Sequence, residues 1–518
     1  MLIIALSISA LMVFLFFSII NVGNIFVSNM ATIKIDILQL ILMSLMQASL
    51  STILSLGAGI AIAWSLNRLD FFGKNLVVSL FATAIVAPSM VVAFGLISVW
   101  GRAGWIAQLF EFFSWEWQFS IFGLGGILFA HTILNGAFAA HILLARIDAI
   151  PARKLKTAQS LALTPFKRFI LLDWAAISGA LPALGSIIFL LAFTSFPIVL
   201  MLGGGVANQT LEVAIYSAVR LSFDLDLAVR LSIIQLVLCM VIILPAIISN
   251  SYLANAGVNY HYKWRQKGLA QFAQISILFV AILAFALPLL AILVDGIAGG
   301  ILDTLSRPSF WQASLTSIII GSLSAVLTLF LAVLIATGRA AFSNGILKAI
   351  LGLPIFAYLV IPAVVLSLGF YLFVKNIGIS PTKAAPFVLI IANSLLALPF
   401  SIAILAPAIE TINQRYNKLT RSLNLSSLMR WRMVEYPLIG REIGIVLALA
   451  FCFSLGDLGI ISLFGTSEFN TLPYAMYQSL GTYRNNDAAV IAAFMLILCL
   501  VVFWFLPMIF RKLSNARN

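Results

Sequence analysis

Long apolar runs recur along the whole chain, and they constrain its fold more than any other feature. Only 9% of the 518 residues are charged and 62% are hydrophobic, whereas a soluble domain has about 25% charged residues. Because lipid cannot pair with backbone N–H and C=O groups, a chain that crosses it forms helices or a closed barrel. The runs do not alternate between apolar and polar residues, which favours helices. The sequence therefore predicts an all-α integral membrane protein.

The positions of these runs predict twelve membrane spans. They cover residues 2–21, 38–66, 76–100, 119–145, 178–203, 227–249, 270–295, 313–337, 347–374, 385–409, 441–465 and 488–510. The first run has neither a basic segment before it nor a small-residue cleavage site after it. We therefore interpret it as a transmembrane helix and not as a cleaved signal.

The distribution of basic residues predicts the orientation of the spans. If the N-terminus is cytosolic and the twelve spans alternate, most of the 30 Lys and Arg residues fall in cytosolic segments. Positive charge concentrates on the cytosolic side of membrane proteins, so both termini are predicted to be cytosolic. The net charge of +13 is then explained by topology. We expect membrane lipid and no nucleic acid among the partners.

The second part of the chain repeats motifs of the first at a nearly constant separation. Ser160-Leu-Ala-Leu163 matches Ser422-Leu-Asn-Leu425 at 262 positions, and Thr210-Leu-x-x-Ala-x-Tyr216 matches Thr471-Leu-x-x-Ala-x-Tyr477 at 261. Each repeat holds six spans, an even number, so both insert in the same orientation as parallel repeats. We predict a first repeat over 1–250, a cytosolic linker over 251–268 and a second repeat over 269–518.

Two basic loops occupy the same place in the two repeats, between the fourth and fifth spans. The first basic loop covers about residues 146–177 and the second about 410–440. Each is predicted to form one or two short helices. Helical spacing puts three residues of each loop on one face, namely Ala158, Leu161 and Ala162, and Thr420, Leu423 and Asn424. A basic helix on the membrane surface would fit this pattern; its duplication favours a repeated docking site.

Both basic loops resemble the cytosolic loop of ABC importer permeases, whose pattern is Glu-Ala-Ala-x-x-x-Gly. The corresponding segments are Lys156-Thr-Ala-x-x-x-Ala162 and Lys418-Leu-Thr-x-x-x-Asn424, so Lys replaces Glu, and Ala and Asn replace Gly. The resemblance implies two coupling helices that dock on two copies of an ABC ATPase subunit. The residues it assigns to docking are Lys156, Thr157, Ala158, Ser160, Leu161, Ala162, Lys418, Leu419, Thr420, Ser422, Leu423 and Asn424.

The chain itself contains no Gly-x-x-x-x-Gly-Lys-Ser/Thr phosphate loop, so ATP would be bound and used by the partner subunits. Its three cysteines lie in apolar runs without metal-ligand spacing, and we expect no metal site and no cofactor. A membrane enzyme would need a cluster of catalytic side chains, and the sequence offers none. A secondary transporter remains a less favoured alternative, because those proteins often have inverted repeats and more buried ionisable residues.

Three polar residues within the spans are candidates for contact with a transported molecule. Asp457 is the foremost, because a charge inside the membrane costs about 2.5–3.5 kcal/mol on insertion scales, and Gly456 and Gly459 flank it. The alternative is an acid that caps a helix or pairs with a neighbour. Asn135 and Asn393 lie in the fourth span of each repeat, where polar residues also commonly bridge helices. The first repeat has Thr194 and Ser195 near the position of Asp457, so the site is expected to be asymmetric.

The second repeat carries the most specific resemblance. Ser454-Leu-Gly-Asp-Leu-Gly459, Thr471-Leu-Pro-Tyr-Ala-Met-Tyr477 and Tyr483-Arg-x-x-Asp-Ala-Ala489 resemble thiamine transporter permeases of Gram-negative bacteria, and the likeness extends over nearly the whole chain. It implies a type I ABC importer permease fold in the bacterial inner membrane. It also implies import of thiamine and its phosphate esters, delivered by a periplasmic binding protein. Ferric iron or another small solute remains the alternative cargo, because iron permeases share the fused twelve-span plan.

Overall fold

A computed structural model describes residues 2–23, 36–248, 268–342 and 345–515, and all regular structure in these ranges is helical. The first half comprises α1 (Leu2–Gly23), α2 (Ile37–Arg68), α3 (Lys74–Ala82), α4 (Ser89–Trp100), α5 (Trp105–Phe112), α6 (Leu124–Asp148), α7 (Ala152–Ser160), α8 (Pro165–Arg168), α9 (Ala175–Ile177), α10 (Leu181–Phe193), α11 (Phe196–Leu202), α12 (Leu211–Arg220) and α13 (Leu225–Ile248). A π-helical segment, Phe169–Trp174, joins α8 to α9.

The second half comprises α14 (Leu269–Ala298), α15 (Ile301–Leu305), α16 (Pro308–Ala341), α17 (Gly345–Val360), α18 (Ala363–Asn376), α19 (Pro381–Ser422), α20 (Ser427–Arg430), α21 (Tyr436–Gly456), α22 (Gly459–Phe464), α23 (Leu472–Gly481) and α24 (Asn485–Asn515). A second π-helical segment, Trp431–Glu435, joins α20 to α21. The predicted linker at 251–268 lies outside the described residues except for Gly268, so its extent stays a prediction.

The all-helical membrane architecture predicted from the apolar runs is confirmed. Within the described ranges, ten helical segments are long and apolar enough to cross a membrane, and each matches one of the predicted spans. The two remaining predicted spans, the first and the ninth, correspond to shorter apolar stretches at Ala5–Leu15 and Ala363–Asn376. The number of membrane spans therefore follows from the apolar runs. Whether each span is one continuous helix does not.

Four predicted spans are wrong as single helices, because each is broken in its interior. The third span breaks before α4 at Pro88, and the ninth breaks before α18 at Pro362. Proline has no N–H to donate and disfavours helical geometry in the residue before it, which explains both breaks. The fifth span breaks at Thr194–Ser195 and the eleventh at Asp457–Leu458. At each break, backbone N–H and C=O groups lose their helical hydrogen bonds. Such groups are tolerated inside a membrane where they line a cavity.

The two basic loops differ in their helices. In the first half, helical structure continues from Pro165 through the π-helical segment into the fifth span, so the last part of the predicted 146–177 loop is helical. In the second half α19 is a single 42-residue helix that runs on to Ser422. The start of the second basic loop is thus the end of a membrane helix and not a separate short helix. The first loop does contain its own short helix, α7.

Small polar side chains join the second and fourth spans of each half. In the first half, Gln47 and Ser51 of α2 both contact the Nδ1 atom of His131 on α6 at 2.9 Å. In the second, the hydroxyl of Ser394 on α19 donates to the carbonyl of Ser324 on α16 at 3.0 Å. Such bonds hold helices together in lipid, where burial of apolar surface gives little driving force. Each half thereby has a rigid helix pair at its centre.

The first helix of each half packs against the other half. The Tyr358 hydroxyl on α17 donates to the Ile8 carbonyl on α1 at 3.0 Å. Reciprocally, the indole N–H of Trp105 on α5 donates to a carboxylate oxygen of Asp295 on α14 at 3.0 Å. Each half is therefore packed against the first helix of the other half. It also brings the broken third and ninth spans, which α14 and α1 cover, toward the centre of the molecule.

Candidate functional site

A cavity of about 340 Å³ lies between the two halves where the four broken spans meet. Pro88 and Pro362 contribute to its wall from the third span of each half, and Ser195 and Asp457 contribute from the fifth. The cavity falls within the roughly 300–1,000 Å³ of small-molecule sites. A site built from discontinuous helices at the interface of two repeats is typical of membrane transport proteins.

Asp457 both caps a helix and lines the cavity. One of its carboxylate oxygens accepts hydrogen bonds from the backbone N–H groups of Gly459 at 3.1 Å and Ile460 at 3.3 Å, and the other from Ile460 at 3.1 Å. These N–H groups open α22 and would otherwise lack partners. The side chain is only half-buried, because one side of it faces the cavity. The two readings of Asp457 that the sequence leaves open, cap and cavity residue, therefore coexist.

Asn135 and Asn393 line the same cavity, from α6 and α19. The amide N–H of Asn393 donates to the Ser454 hydroxyl at 2.9 Å, so this residue also bridges two helices. The structure thus brings all three predicted polar residues to one space. His131 joins them one helical turn before Asn135, and its Nε2 atom has no hydrogen-bond partner.

Aromatic rings form much of the remaining wall. Five of them line the cavity, from both halves: Phe138, Phe196, Tyr358, Phe400 and Phe453. The faces of such rings carry negative electrostatic potential and attract cations within about 6 Å. One carboxylate among aromatic rings suits an organic cation with a flat ring, because the rings stack on it and the acid balances its charge.

The cavity is asymmetric in charge, as the sequence predicts. Ser195 stands 262 positions before Asp457 and begins the equivalent helix α11, but it bears no charge. Thr194 beside it bonds back to the Leu190 carbonyl at 2.8 Å. The first half therefore offers hydroxyl groups where the second offers a carboxylate.

The helix that enters each basic loop ends with the same backbone geometry. Ala162 and Asn424, 262 positions apart, both adopt left-handed backbone angles, with φ of 48° and 46°. In each loop the residue after them donates its N–H back into the preceding helix, Leu163 to Ala158 at 3.3 Å and Leu425 to Thr420 at 3.1 Å. These are the bonds of a helix that ends in a left-handed residue. Glycine adopts that conformation without strain, which explains the glycine of the permease pattern.

The prediction that three residues of each loop share one helical face is wrong, because the helices end at Ser160 and Ser422. Ala158 and Thr420 are 4% exposed and point into the protein, whereas Leu161 and Leu423 are 67% and 60% exposed. The left-handed turn carries each leucine to the outer surface of the loop. Among the other predicted docking residues, those with exposed side chains are Lys156, Thr157, Ser160, Ala162, Lys418, Leu419, Ser422 and Asn424.

An ion pair lies behind each basic loop, buried in the first half and partly exposed in the second. Arg68 pairs with Asp173 in the first half, with side chains 3% and 0% exposed, and Arg430 pairs with Glu435 at 2.8 Å in the second. The acids occupy equivalent positions in the two π-helical segments, but the arginines come from different helices. The first pair joins the end of α2 to the start of the fifth span. In the second half Arg430 also donates to the Asn413 side chain on α19 at 2.9 Å, so it joins the two helices on either side of the second basic loop.

Sequence reasoning overlooked Pro88 as a cavity residue, although the sequence carries a signal for it. Pro88 and Pro362 each follow an apolar run, and a glycine stands seven positions after each proline, at Gly95 and Gly369. A proline repeated at this spacing in both halves indicates a helix break that both halves share. The separation is 274 residues, and the motifs at 261–262 residues do not reveal it.

Comparison with known proteins reveals extensive similarity. Residues 328–515 match the family described as binding-protein-dependent transport system inner membrane component. The thiamine transport system permease protein ThiP of Salmonella typhimurium is 32% identical over 89% of this chain and 87% of its own length. ThiP of Haemophilus influenzae is 36% identical over 91% and 88%. An Fe(3+)-transport system permease protein, FbpB 2 of Haemophilus influenzae, is 25% identical over 89% and 87%.

Proposed function

The chain belongs to the family of thiamine transport system permease proteins, and from this premise we propose that it carries thiamine and its phosphate esters across the membrane. The observation that carries the proposal is the cavity between the halves, where Asp457 and a set of aromatic rings surround about 340 Å³. Thiamine contains a cationic thiazolium ring. Asp457 would balance that charge, and the rings would stack on the flat parts of the molecule.

The proposed energy source is ATP hydrolysis by two partner subunits. The two basic loops support this, because they expose equivalent leucines, Leu161 and Leu423, in equivalent backbone geometry. Two copies of one ATPase subunit would each receive one leucine in an apolar groove. Closure of the ATPases on ATP would then move both loops, and the ion pairs behind them would pass the motion to the cavity walls.

The proposed orientation places both basic loops and both termini in the cytosol. The concentration of Lys and Arg in those segments supports it. A periplasmic binding protein would then deliver cargo to the opposite face. The chain itself would carry out no covalent chemistry and would hold no cofactor.

Uptake of labelled thiamine tests the cargo. Membrane vesicles or proteoliposomes would contain this permease with its cognate ATPase and binding protein. We expect ATP-dependent accumulation of thiamine, and competition by its mono- and diphosphate esters. A parallel assay with ferric iron examines the alternative. Iron uptake without thiamine uptake would overturn the thiamine assignment and leave the permease assignment in place.

A further inference from the structure

A contact between the two halves lies beside the cavity and has no part in the mechanism described so far. It joins α12 of the first half to the end of α22 and the start of α23 in the second. One terminal guanidinium nitrogen of Arg220 donates to the Gly465 carbonyl at 2.7 Å and to the Tyr474 hydroxyl at 2.8 Å. Both acceptors belong to the other half, so these bonds hold the halves together directly.

The contact lies on the axis that relates the two halves. Tyr216 and Tyr477 are equivalent residues, 261 positions apart, and their rings meet edge to face with centroids 6.5 Å apart. A residue can touch its own counterpart only close to the axis that exchanges them. A central pathway between parallel repeats runs along that axis, so the contact stands in the pathway.

Chain connectivity places the contact on the side of the cavity away from the basic loops. Helix α21 leads from the second basic loop to the cavity, α22 begins at Gly459 on the cavity wall, and Gly465 ends α22. The contact is therefore between the cavity and the face of the membrane opposite the basic loops, which we call the far face.

Only the first half supplies the arginine of this contact, and the Tyr474 ring packs closely against Gly465. The residue equivalent to Arg220 in the second half is Gly481, which has no side chain to reach across. A Cβ atom on Gly465 would lie 2.7 Å from the Tyr474 ring, so only glycine lets that ring keep its place against the chain. Because both acceptors of Arg220 are neutral, its bonds are weaker than a buried ion pair and can be broken in each cycle.

We propose that Arg220, Gly465 and Tyr474 form a latch that closes the far-face end of the pathway, and that the latch opens each time cargo enters the cavity. This inference rests on the proposed transport function. It assigns gating to residues that line neither the cavity nor the basic loops. Arg220 of the first half donates both hydrogen bonds of the latch, so one substitution is enough to disable it.

Arg220→Ala tests the latch in the complete complex of permease and ATPase subunits. Arg484→Ala is the matched control, because Arg484 lies on the same face but bonds only to Thr482 and Asp487 of its own half. The first readout uses the Ser195→Cys variant background and measures how fast a membrane-impermeant thiol reagent, added at the far face, labels that position. The three native cysteines, Cys239, Cys452 and Cys499, are replaced beforehand.

We expect labelling to rise on the order of ten-fold in Arg220→Ala, the effect of losing a hydrogen bond from a charged group, and to stay unchanged in the control. The second readout is ATP hydrolysis without cargo or binding protein, which should rise in Arg220→Ala because the closed state is no longer favoured. Equal values for Arg220→Ala and Arg484→Ala in both readouts would overturn the latch.

If the Arg220→Ala permease does not assemble with its ATPase subunits, Tyr474→Phe provides a second test of the latch. It removes one hydroxyl and leaves the ring, and Tyr483→Phe on an exposed residue serves as its control. We expect a smaller rise in labelling, about three-fold. No rise would overturn the proposal. Neither readout uses thiamine, so a failed thiamine assay together with a changed labelling rate would reject the cargo and keep the latch.

Discussion

The helix ends in the two basic loops, around Ala162 and Asn424, have nearly the same geometry, whereas the two walls of the cavity differ in charge. In the loops, the hydroxyls of Ser160 and Ser422 each donate to the carbonyl three residues earlier at 2.9 Å. In the cavity, Asp457 faces the first half's Ser195 across the same space. The two halves have thus kept equal geometry in one region and have diverged in the other.

The difference follows from what each region is proposed to contact. Two copies of one ATPase subunit present two equal grooves, so both loops must offer the same shape. A single asymmetric cargo occupies a single cavity, and one carboxylate is enough to balance one positive charge. A second acid at Ser195 would add an uncompensated charge inside the membrane. Substitutions in the two regions should therefore have different effects.

The ion pairs behind the loops should differ in strength although the loops do not. Arg68→Ala leaves Asp173 buried and unpaired, which costs about 3–5 kcal/mol. Arg430→Ala should cost less, because the Arg430 side chain is 24% exposed and water can solvate Glu435 in part. Thermal unfolding of the purified permease measures both, with the exposed Arg102→Ala as control. Equal shifts in midpoint would show that exposure does not govern these pairs.

The exposed leucines should be equivalent in function. Leu161→Asp and Leu423→Asp each place a charge where an apolar groove is proposed, and either should lower transport roughly thirty-fold, as loss of a central interface residue does. ATP-driven uptake in proteoliposomes measures this. Phe72→Asp is the control, since Phe72 is fully exposed but lies between α2 and α3, outside both basic loops and the latch. Wild-type transport by both loop variants would remove the docking assignment.

Transport should depend on the negative charge of Asp457 as well as on its hydrogen bonds to the start of α22. Asn caps helices nearly as well as Asp, so Asp457→Asn isolates the charge, and we expect transport to fall about ten-fold, or 1.4 kcal/mol. Asp457→Ala removes the cap as well and should be worse. Ser195→Ala, the matched change in the first half, should have little effect. Wild-type uptake by Asp457→Asn would leave the residue with a structural role alone.

The left-handed residues should give the smallest effect. Ala162→Gly relieves backbone strain and should stabilise the permease by about 0.5–1 kcal/mol. Asn424→Gly should change stability less, because Asn tolerates the left-handed region better than Ala does. The midpoint of thermal unfolding compares the two. Destabilisation by Ala162→Gly would contradict the positive φ at that position.

Much of the candidate site could be predicted from the sequence because its residues are chemically unusual where they stand. Asp457, Asn135 and Asn393 are polar residues in apolar runs, and all three line one cavity. The face of the basic loops could not be predicted in the same way. Helical spacing assumes that the helix continues, but the left-handed turns at Ala162 and Asn424 end it. Alanine gives no local signal for such a turn.

The membrane class, the number of apolar segments and the duplication could be inferred from the residues without a structure. These features depend on hydrophobicity and on residue order, which are properties of the chain alone. The folded molecule was needed to show where spans break, which half each first helix covers, and that Tyr216 meets Tyr477 on the axis. Those features depend on contacts between residues hundreds of positions apart. No local sequence pattern predicts such contacts, because they join residues of different halves.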